Sequence, residues 1–252
     1  MRLFFRRHGS GLPLLILHGL FGSSNNWNTL AKRLGEHFTV YAVDLRNHGH
    51  SPHDPVHTYP SMAADILEFM DQEGISSSFL LGHSMGGKVG MEIALSHPSK
   101  IGKLVVVDIA PVPYPDRHDA LLSALISLPL DDYSSRAQAD DALRKEVPDE
   151  RVRGFLLTNL RRTEQGTYTW ALNLHALKVH RADLAAGIQE GRQYNGPALF
   201  IRGDRSDYVL PQYHDAIKRL FPSARFETIP GAGHWVHADA PEAFLEAVLS
   251  FL

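Results

Sequence analysis

One stretch constrains the fold of this chain more than any other: Leu80-Leu81-Gly82-His83-Ser84-Met85-Gly86-Gly87-Lys88. An apolar run, Phe79-Leu80-Leu81, stops at Gly82, and a run of helical character starts at Met85, leaving Gly82-x-Ser84-x-Gly86 between them. A serine on a sharp strand-to-helix turn is held in strained backbone geometry with its hydroxyl pushed clear of the sheet. Side chains two residues to either side would crowd that turn, and glycine has no Cβ to clash. The first N–H groups of the following helix point at the same spot, where they favour developing negative charge. A plain glycine-serine loop would read the same way locally, so the assignment turns on partners elsewhere in the chain.

The segments around this turn alternate between strand and helix. Leu3 to Arg7 reads as an edge strand and Leu12 to Leu17 as a buried one, ending in the glycine-broken loop His18-Gly19-Leu20-Phe21-Gly22. Asn25 or Asn26 is placed to cap a helix through about Leu34, with Trp27, Leu30, Ala31 and Leu34 on one face. Phe38 to Val43 is a strand and Tyr59 to Met70 an amphipathic helix. After the Ser84 turn come a helix to about Ser96 and a strand at Leu104–Val107 that ends in Asp108. From Asp116 to about Gly191 the rhythm breaks into helices around Leu121–Leu128, Arg136–Val147, Glu150–Leu160 and Leu174–Ile188, with an aromatic piece at Tyr168–Trp170. Strands at Ala198–Ile201 and Arg225–Ile229 then resume the pattern, with helices near Gln212–Leu220 and from Glu242. Strands apolar throughout indicate a mostly parallel central sheet with helices on both faces. The expected class is therefore α/β, with a core of residues 1–115 and 192–252 and a helical cap, 116–191, inserted before the last two strands.

Composition narrows the chemistry. At 252 residues and a formal charge of −3, the chain has neither the basic footprint of a nucleic-acid binder nor a polybasic patch for membranes. It has no cysteine, which excludes disulfides, thiolate chemistry and Cys-based metal sites. No run of about 18 apolar residues predicts a membrane span, and the reducing cytosol is the expected compartment. His48, His50, His53 and His57 cluster in one loop, but without the carboxylate or histidine spacing of a metal site, so a structural loop held by Arg46 is expected. No metal or other cofactor is called for.

In open α/β sheets ligands bind beyond the C-terminal ends of the strands, and the polar signals fall there: His18-Gly19, Asp44, Ser84, Asp108, Asp204 or Asp207, and His234. A serine nucleophile needs a base, and imidazole titrates in the right range. His234, in Gly231-Ala232-Gly233-His234-Trp235 after the last strand, is the candidate. An acid must orient that imidazole; Asp108, Asp204 and Asp207 all stand at strand ends, and local pattern leaves the choice open. Two backbone N–H groups must meet the developing oxyanion, and Leu20 and Met85 are the candidates. Phe21, His83, Trp170 and Trp235 are expected to wall the substrate pocket, with core packing as the plain alternative for both tryptophans.

His18-Gly19-Leu20-Phe21-Gly22-Ser23, Asp44-Leu45-Arg46-Asn47-His48-Gly49-His50-Ser51-Pro52, Gly82-His83-Ser84-Met85-Gly86-Gly87-Lys88, Val107-Asp108-Ile109-Ala110-Pro111-Val112 and Gly231-Ala232-Gly233-His234-Trp235-Val236-His237 together resemble the YbfF-type esterases, bacterial α/β-hydrolases related to the abhydrolase-domain-11 proteins. Phe155-Leu156-Leu157-Thr158-Asn159-Leu160, Trp170 and Asn173-Leu174 extend the resemblance into the cap. It implies a cofactor-free carboxylester hydrolase acting on small-molecule acyl esters, with Ser84, His234 and Asp108 as the triad. Asp204 and Asp207 depart from the group's pattern, which makes Asp207 the alternative acid. A thioesterase or C–C bond hydrolase would use the same residues with a different pocket, and a slow-turnover ligand sensor would keep them without multiple turnover.

Overall fold

A computed structural model describes all residues, 1–252. Seven strands form one sheet: β1 (Phe5–His8), β2 (Pro13–Leu17), β3 (Thr39–Val43), β4 (Ser78–His83), β5 (Ile101–Val107), β8 (Ala198–Gly203) and β9 (Ala224–Ile229), in the order β1-β3-β2-β4-β5-β8-β9. Only the edge strand β1 runs antiparallel; the other pairs are parallel. Two short strands, β6 (Leu160–Arg162) and β7 (Tyr168–Trp170), make a separate antiparallel hairpin.

The alternation of the strand side chains builds two cores. Leu15, Leu17, Tyr41 and Val43 point into a cluster of 33 buried residues, where α2 (Tyr59–Gln72), α3 (Met85–Ser96) and α9 (His214–Leu220) pack. Leu14, Ile16, Val40 and Ala42 point to the other face, into a cluster of 20 residues covered by α1 (Asn28–Leu34) and α11 (Pro241–Phe251). Burial on both faces explains why these strands are apolar throughout, and each fully buried aliphatic side chain contributes roughly 1.5–3 kcal/mol. Helix α2 starts where it does because Thr58 Oγ1 accepts from the Ser61 N–H while Ser61 Oγ accepts from the Thr58 N–H, with Pro60 in the first turn.

Between β5 and β8 lies the helical cap: α4 (Asp119–Ile126), α5 (Arg136–Leu143), α6 (Glu150–Leu157), the β6–β7 hairpin, α7 (Leu174–Val179) and α8 (Arg181–Ala185). It has its own cluster of 12 buried residues, of which Phe21 alone comes from outside the cap. Several expectations are corrected. The helix expected over Glu150–Leu160 stops at Leu157, because Leu160 turns into the hairpin. The one expected over Leu174–Ile188 is two short helices meeting at His180. Asn25 and Asn26 cap no helix; they lie in a 3₁₀ turn, Ser24–Trp27, where the Asn26 side chain accepts from the Ser23 N–H, and α1 begins only at Asn28. A four-residue helix, α10 (Val236–Asp239), follows His234 without having been expected.

Candidate active site

Parallel register brings the strand ends together. Leu17 pairs with Gly82, His83 with Val107 and Val107 with Ile201, so the residues that follow each strand converge at one edge of the sheet. Ser84, between β4 and α3, has φ +51° and ψ −116°, outside the regions open to an ordinary side chain. The surrounding glycines permit it: a Cβ on Gly82 would lie 2.3 Å from the Gly86 carbonyl oxygen, and one on Gly86 would lie 2.4 Å from that of Leu17. Strain of this kind, of order 1–3 kcal/mol, persists where the surroundings over-determine it.

His234 Nε2 lies 3.1 Å from Ser84 Oγ, and His234 Nδ1 lies 2.7 Å from Asp108 Oδ2. Asp108 directly follows β5 with φ +52° and is fully buried. Its carboxylate also accepts from Ser206 Oγ and, at 3.3 Å, from the Gly203 N–H. The other two aspartates are apart from this chain of contacts. Asp207 is exposed and pairs with Arg117 at 3.1 Å, and Asp204 is exposed as well. Both sit on the outer side of the turn after β8, which directs Ser206 inward instead.

The loop carrying His234 is held from two sides. The Gly233 N–H donates to Asp239 Oδ2 at 2.8 Å, and Asp239 takes a second bond, 2.6 Å, from Arg151 of the cap. His83 Nε2 donates to the His234 carbonyl at 2.9 Å, so His83, which also lines the cavity, props the loop. Burial, reinforced by the neighbouring histidines, pushes the His83 imidazole well below its usual range and keeps it neutral. Tyr208 stacks on the His234 ring, with centroids 4.2 Å apart. Neither Ser206 nor Tyr208 was singled out from the sequence, since nothing local marks residues whose partners lie roughly a hundred positions upstream or on another loop.

The Leu20 and Met85 N–H groups, from the loop after β2 and the start of α3, donate to no other group of the protein. The loop behind Leu20 is rigidly built. His18 Nδ1 bonds the Gly19 carbonyl at 2.8 Å while its Nε2 accepts from the Leu45 N–H at 3.0 Å. The histidine-rich loop after β3 proves to be scaffold. Arg46 forks onto Asp65 at 2.5 and 2.8 Å, and Asp44 accepts from the N–H groups of Ser24 and His50.

Ser84, Met85 and His234 border a cavity of about 220 Å³ lined mostly by apolar side chains, among them Leu20, Phe21, Leu121, Phe155, Leu156 and Trp235. Trp170 does not border it: its Nε1 donates to the Leu125 carbonyl at 3.2 Å and its ring packs on the cap's own cluster. The expectation that Trp170 walls the pocket is thereby corrected, because the hairpin packs that ring against the cap's own cluster.

Comparison with known proteins agrees with this architecture. A family model described as alpha/beta hydrolase fold matches residues 13–241. The mouse sn-1-specific diacylglycerol lipase ABHD11 is 43% identical over 96% of this chain and 81% of its own length. The Escherichia coli esterase YbfF is 40% identical over 95% of this chain and 92% of its own. A solved structure, a marine microorganism esterase, superimposes with a TM-score of 0.97 at 41% identity, covering 100% of this chain and 99% of that one. No helix is long and apolar enough to cross a membrane. With the family model spanning nearly the whole sheet and such identities end to end, this chain belongs to the α/β-hydrolase family, in the group that includes YbfF and ABHD11.

Proposed function

We infer that the protein is a serine carboxylesterase that hydrolyses short to medium acyl esters through an acyl-enzyme on Ser84. The observation that carries this reading is the single chain of contacts Asp108–His234–Ser84 at 2.7 and 3.1 Å, opening onto an apolar cavity. Ser84 Oγ attacks the ester carbonyl as His234 Nε2 takes its proton. The tetrahedral oxyanion is met by the Leu20 and Met85 N–H groups, each such donor being worth about 10²–10³ in rate. His234 passes the proton to the departing alkoxide, leaving Ser84 acylated. A water deprotonated by His234 then attacks the acyl carbon, and collapse releases the carboxylic acid and restores the serine. Asp108 holds the Nδ1–H tautomer of His234 and stabilises the imidazolium of each half-reaction.

Residues 116–191 act as the cap over this site, and α4, α6 and α8 each contribute to the cavity wall. The cavity volume, about 220 Å³, lies below the range common for drug-sized ligands and supports the short to medium acyl class. The relatives named an esterase and a diacylglycerol lipase both point to ester substrates. The test is Ser84→Ala with p-nitrophenyl butyrate as substrate. Turnover should fall on the order of 10⁶-fold in a folded protein, and a fluorophosphonate should add one adduct to the wild type and none to the variant. Retained activity in Ser84→Ala overturns the reading.

A further inference from the structure

We propose that Asn159 of the cap and His48 of the loop after β3 are positioning residues that clamp the Gly19–Gly22 turn, so that docking of the cap sets the oxyanion site. The inference rests on the reading above that the Leu20 N–H is an oxyanion donor.

The turn is closed by the Gly22 N–H donating to the Gly19 carbonyl at 2.9 Å, with Leu20 and Phe21 at its centre. Phe21 has φ +61°. In a turn of this kind the third residue is ordinarily glycine, since a bulky side chain there is an outlier of the left-handed region. Something must hold phenylalanine in place, and three contacts do. The Phe21 N–H donates to His48 Nε2 at 3.3 Å, which requires that nitrogen to be unprotonated. His48 Nδ1 bonds the Arg46 carbonyl at 2.9 Å, which fixes the tautomer that leaves Nε2 as the acceptor. On the other side of the residue, Asn159 Nδ2 donates to the Phe21 carbonyl at 2.8 Å. The Phe21 ring, 4% exposed, is embedded in the cap's twelve-residue cluster.

Asn159 is itself fixed within the cap. Its Nδ2 also reaches the Leu156 carbonyl at 3.1 Å, and its own carbonyl accepts from the Ala171 N–H at 2.8 Å. One residue of the turn therefore has its N–H held by the core and its carbonyl and ring held by the cap. Relaxing Phe21 out of its positive φ would turn its N–H away from His48 and reshape the turn on which the Leu20 N–H sits. With the cap undocked, the His48 bond is the only one of these three contacts that remains.

The test compares Asn159→Ala, Asn159→Asp, His48→Leu and His48→Gln with the wild type. The readouts are kcat and KM for p-nitrophenyl butyrate, inhibition by a trifluoromethyl ketone that forms a tetrahedral adduct, and thermal melting. Asn159→Ala and His48→Leu should lower kcat roughly 10- to 100-fold, the scale of a misplaced catalytic group, with KM changed less than about 3-fold and ketone affinity falling in parallel with kcat. His48→Gln, whose Oε1 accepts the same N–H, should recover most of the loss. Asn159→Asp should fall below Asn159→Ala, because its carboxylate faces the Phe21 carbonyl. Variants that melt earlier yet keep wild-type kcat and ketone affinity would show that the two residues only pack the cap, and His48→Gln behaving like His48→Leu would remove the acceptor role. The esterase reading is judged separately by wild type against Ser84→Ala, so its failure and that of the clamp are distinguishable.

Discussion

Of the eighteen buried polar or charged residues, only Arg153 and Asn159 belong to the cap; the rest lie in the sheet, its loops and the helices packed on it. The loops at the sheet edge are held by neutral histidines, buried carboxylates and strained residues at Phe21, Asn47, Ser84 and Asp108. The cap is held by an aliphatic cluster and by ion pairs at its surface, such as Arg144 with Asp140 and Asp141. The first kind of structure places side chains through directed hydrogen bonds, where an unpaired buried polar group is costly. The second keeps its shape through volume, which many sequences supply. The catalytic edge is thus the exacting part of the molecule and the roof the permissive part.

Acid should break the first region before the second. His18, His48, His57, His83 and His237 are buried, and burial depresses each imidazole below its usual 6.5, His57 and His237 to about 3. Between those values and 6.5 the unfolded chain takes up protons that the folded one refuses. Stability from these groups is therefore fully present above about pH 6.5 and is lost as pH falls. His57 and His237, depressed to about 3, each contribute about 1.4 kcal/mol per pH unit in that window, and His18, His48 and His83 act in the same direction. Urea midpoints should drop steeply from pH 6.5 to 5, with amide protection lost first in the loops after β2, β3 and β9. A midpoint unchanged to pH 4.5 would contradict the comparison.

The two aspartates sharpen it at the level of single residues. Asp108→Asn should reduce turnover by up to about 10⁴-fold, because the wrong tautomer of His234 is then held. Asp207→Asn removes one exposed ion pair with Arg117 and should leave turnover within about 2-fold. Circular dichroism on both confirms folding; the reverse ranking moves the acid to the loop after β8. Within the cap, Leu125→Ala leaves a cavity in the aliphatic cluster and should cost about 2–5 kcal/mol in chemical denaturation. Arg144→Ala, at the surface of the same cap, should cost no more than about 1 kcal/mol. Equal costs for these two would mean that volume is not what holds the roof.

Much of the exacting part was legible in sequence because its demands are local. Ser84 announced itself through Gly82 and Gly86, whose missing side chains the turn requires, and His234 through the glycines around it. Asp108 was one of three equivalent strand-end aspartates until resemblance favoured it; which of them faces the imidazole depends on how β5 and β8 twist, and local spacing carries no trace of that. Ser206, Tyr208 and Asn159 act across separations of 98, 26 and 138 residues from Asp108, His234 and Phe21. The cap misled for a different reason. Leu160 fits a helical period, but pairing across the hairpin overrides it, and Trp170, expected at the cavity, packs against the cap core.

Lys88 bears on the history of such a molecule. Nearly fully buried on α3, its ammonium pushed down to about 7 by burial, it donates to the carbonyls of Val112, where the chain leaves the sheet, and Ala186, where it returns. The two stems also bond each other directly, Tyr114 to Ala185 and Ile188 to Pro111, both at 2.9 Å. The insertion thus starts and ends at one pinned point of the sheet, and between its stems it touches the core through contacts such as those of Arg151 and Asn159. Doubling the length of a flexible insertion closed in this way adds only about 0.6 kcal/mol of closure entropy. A roof mounted like a cassette can be lengthened or trimmed away from Arg151 and Asn159 while the strand register that aligns serine, histidine and aspartate stays as it was, so new substrate preferences are reachable without rebuilding the sheet beneath.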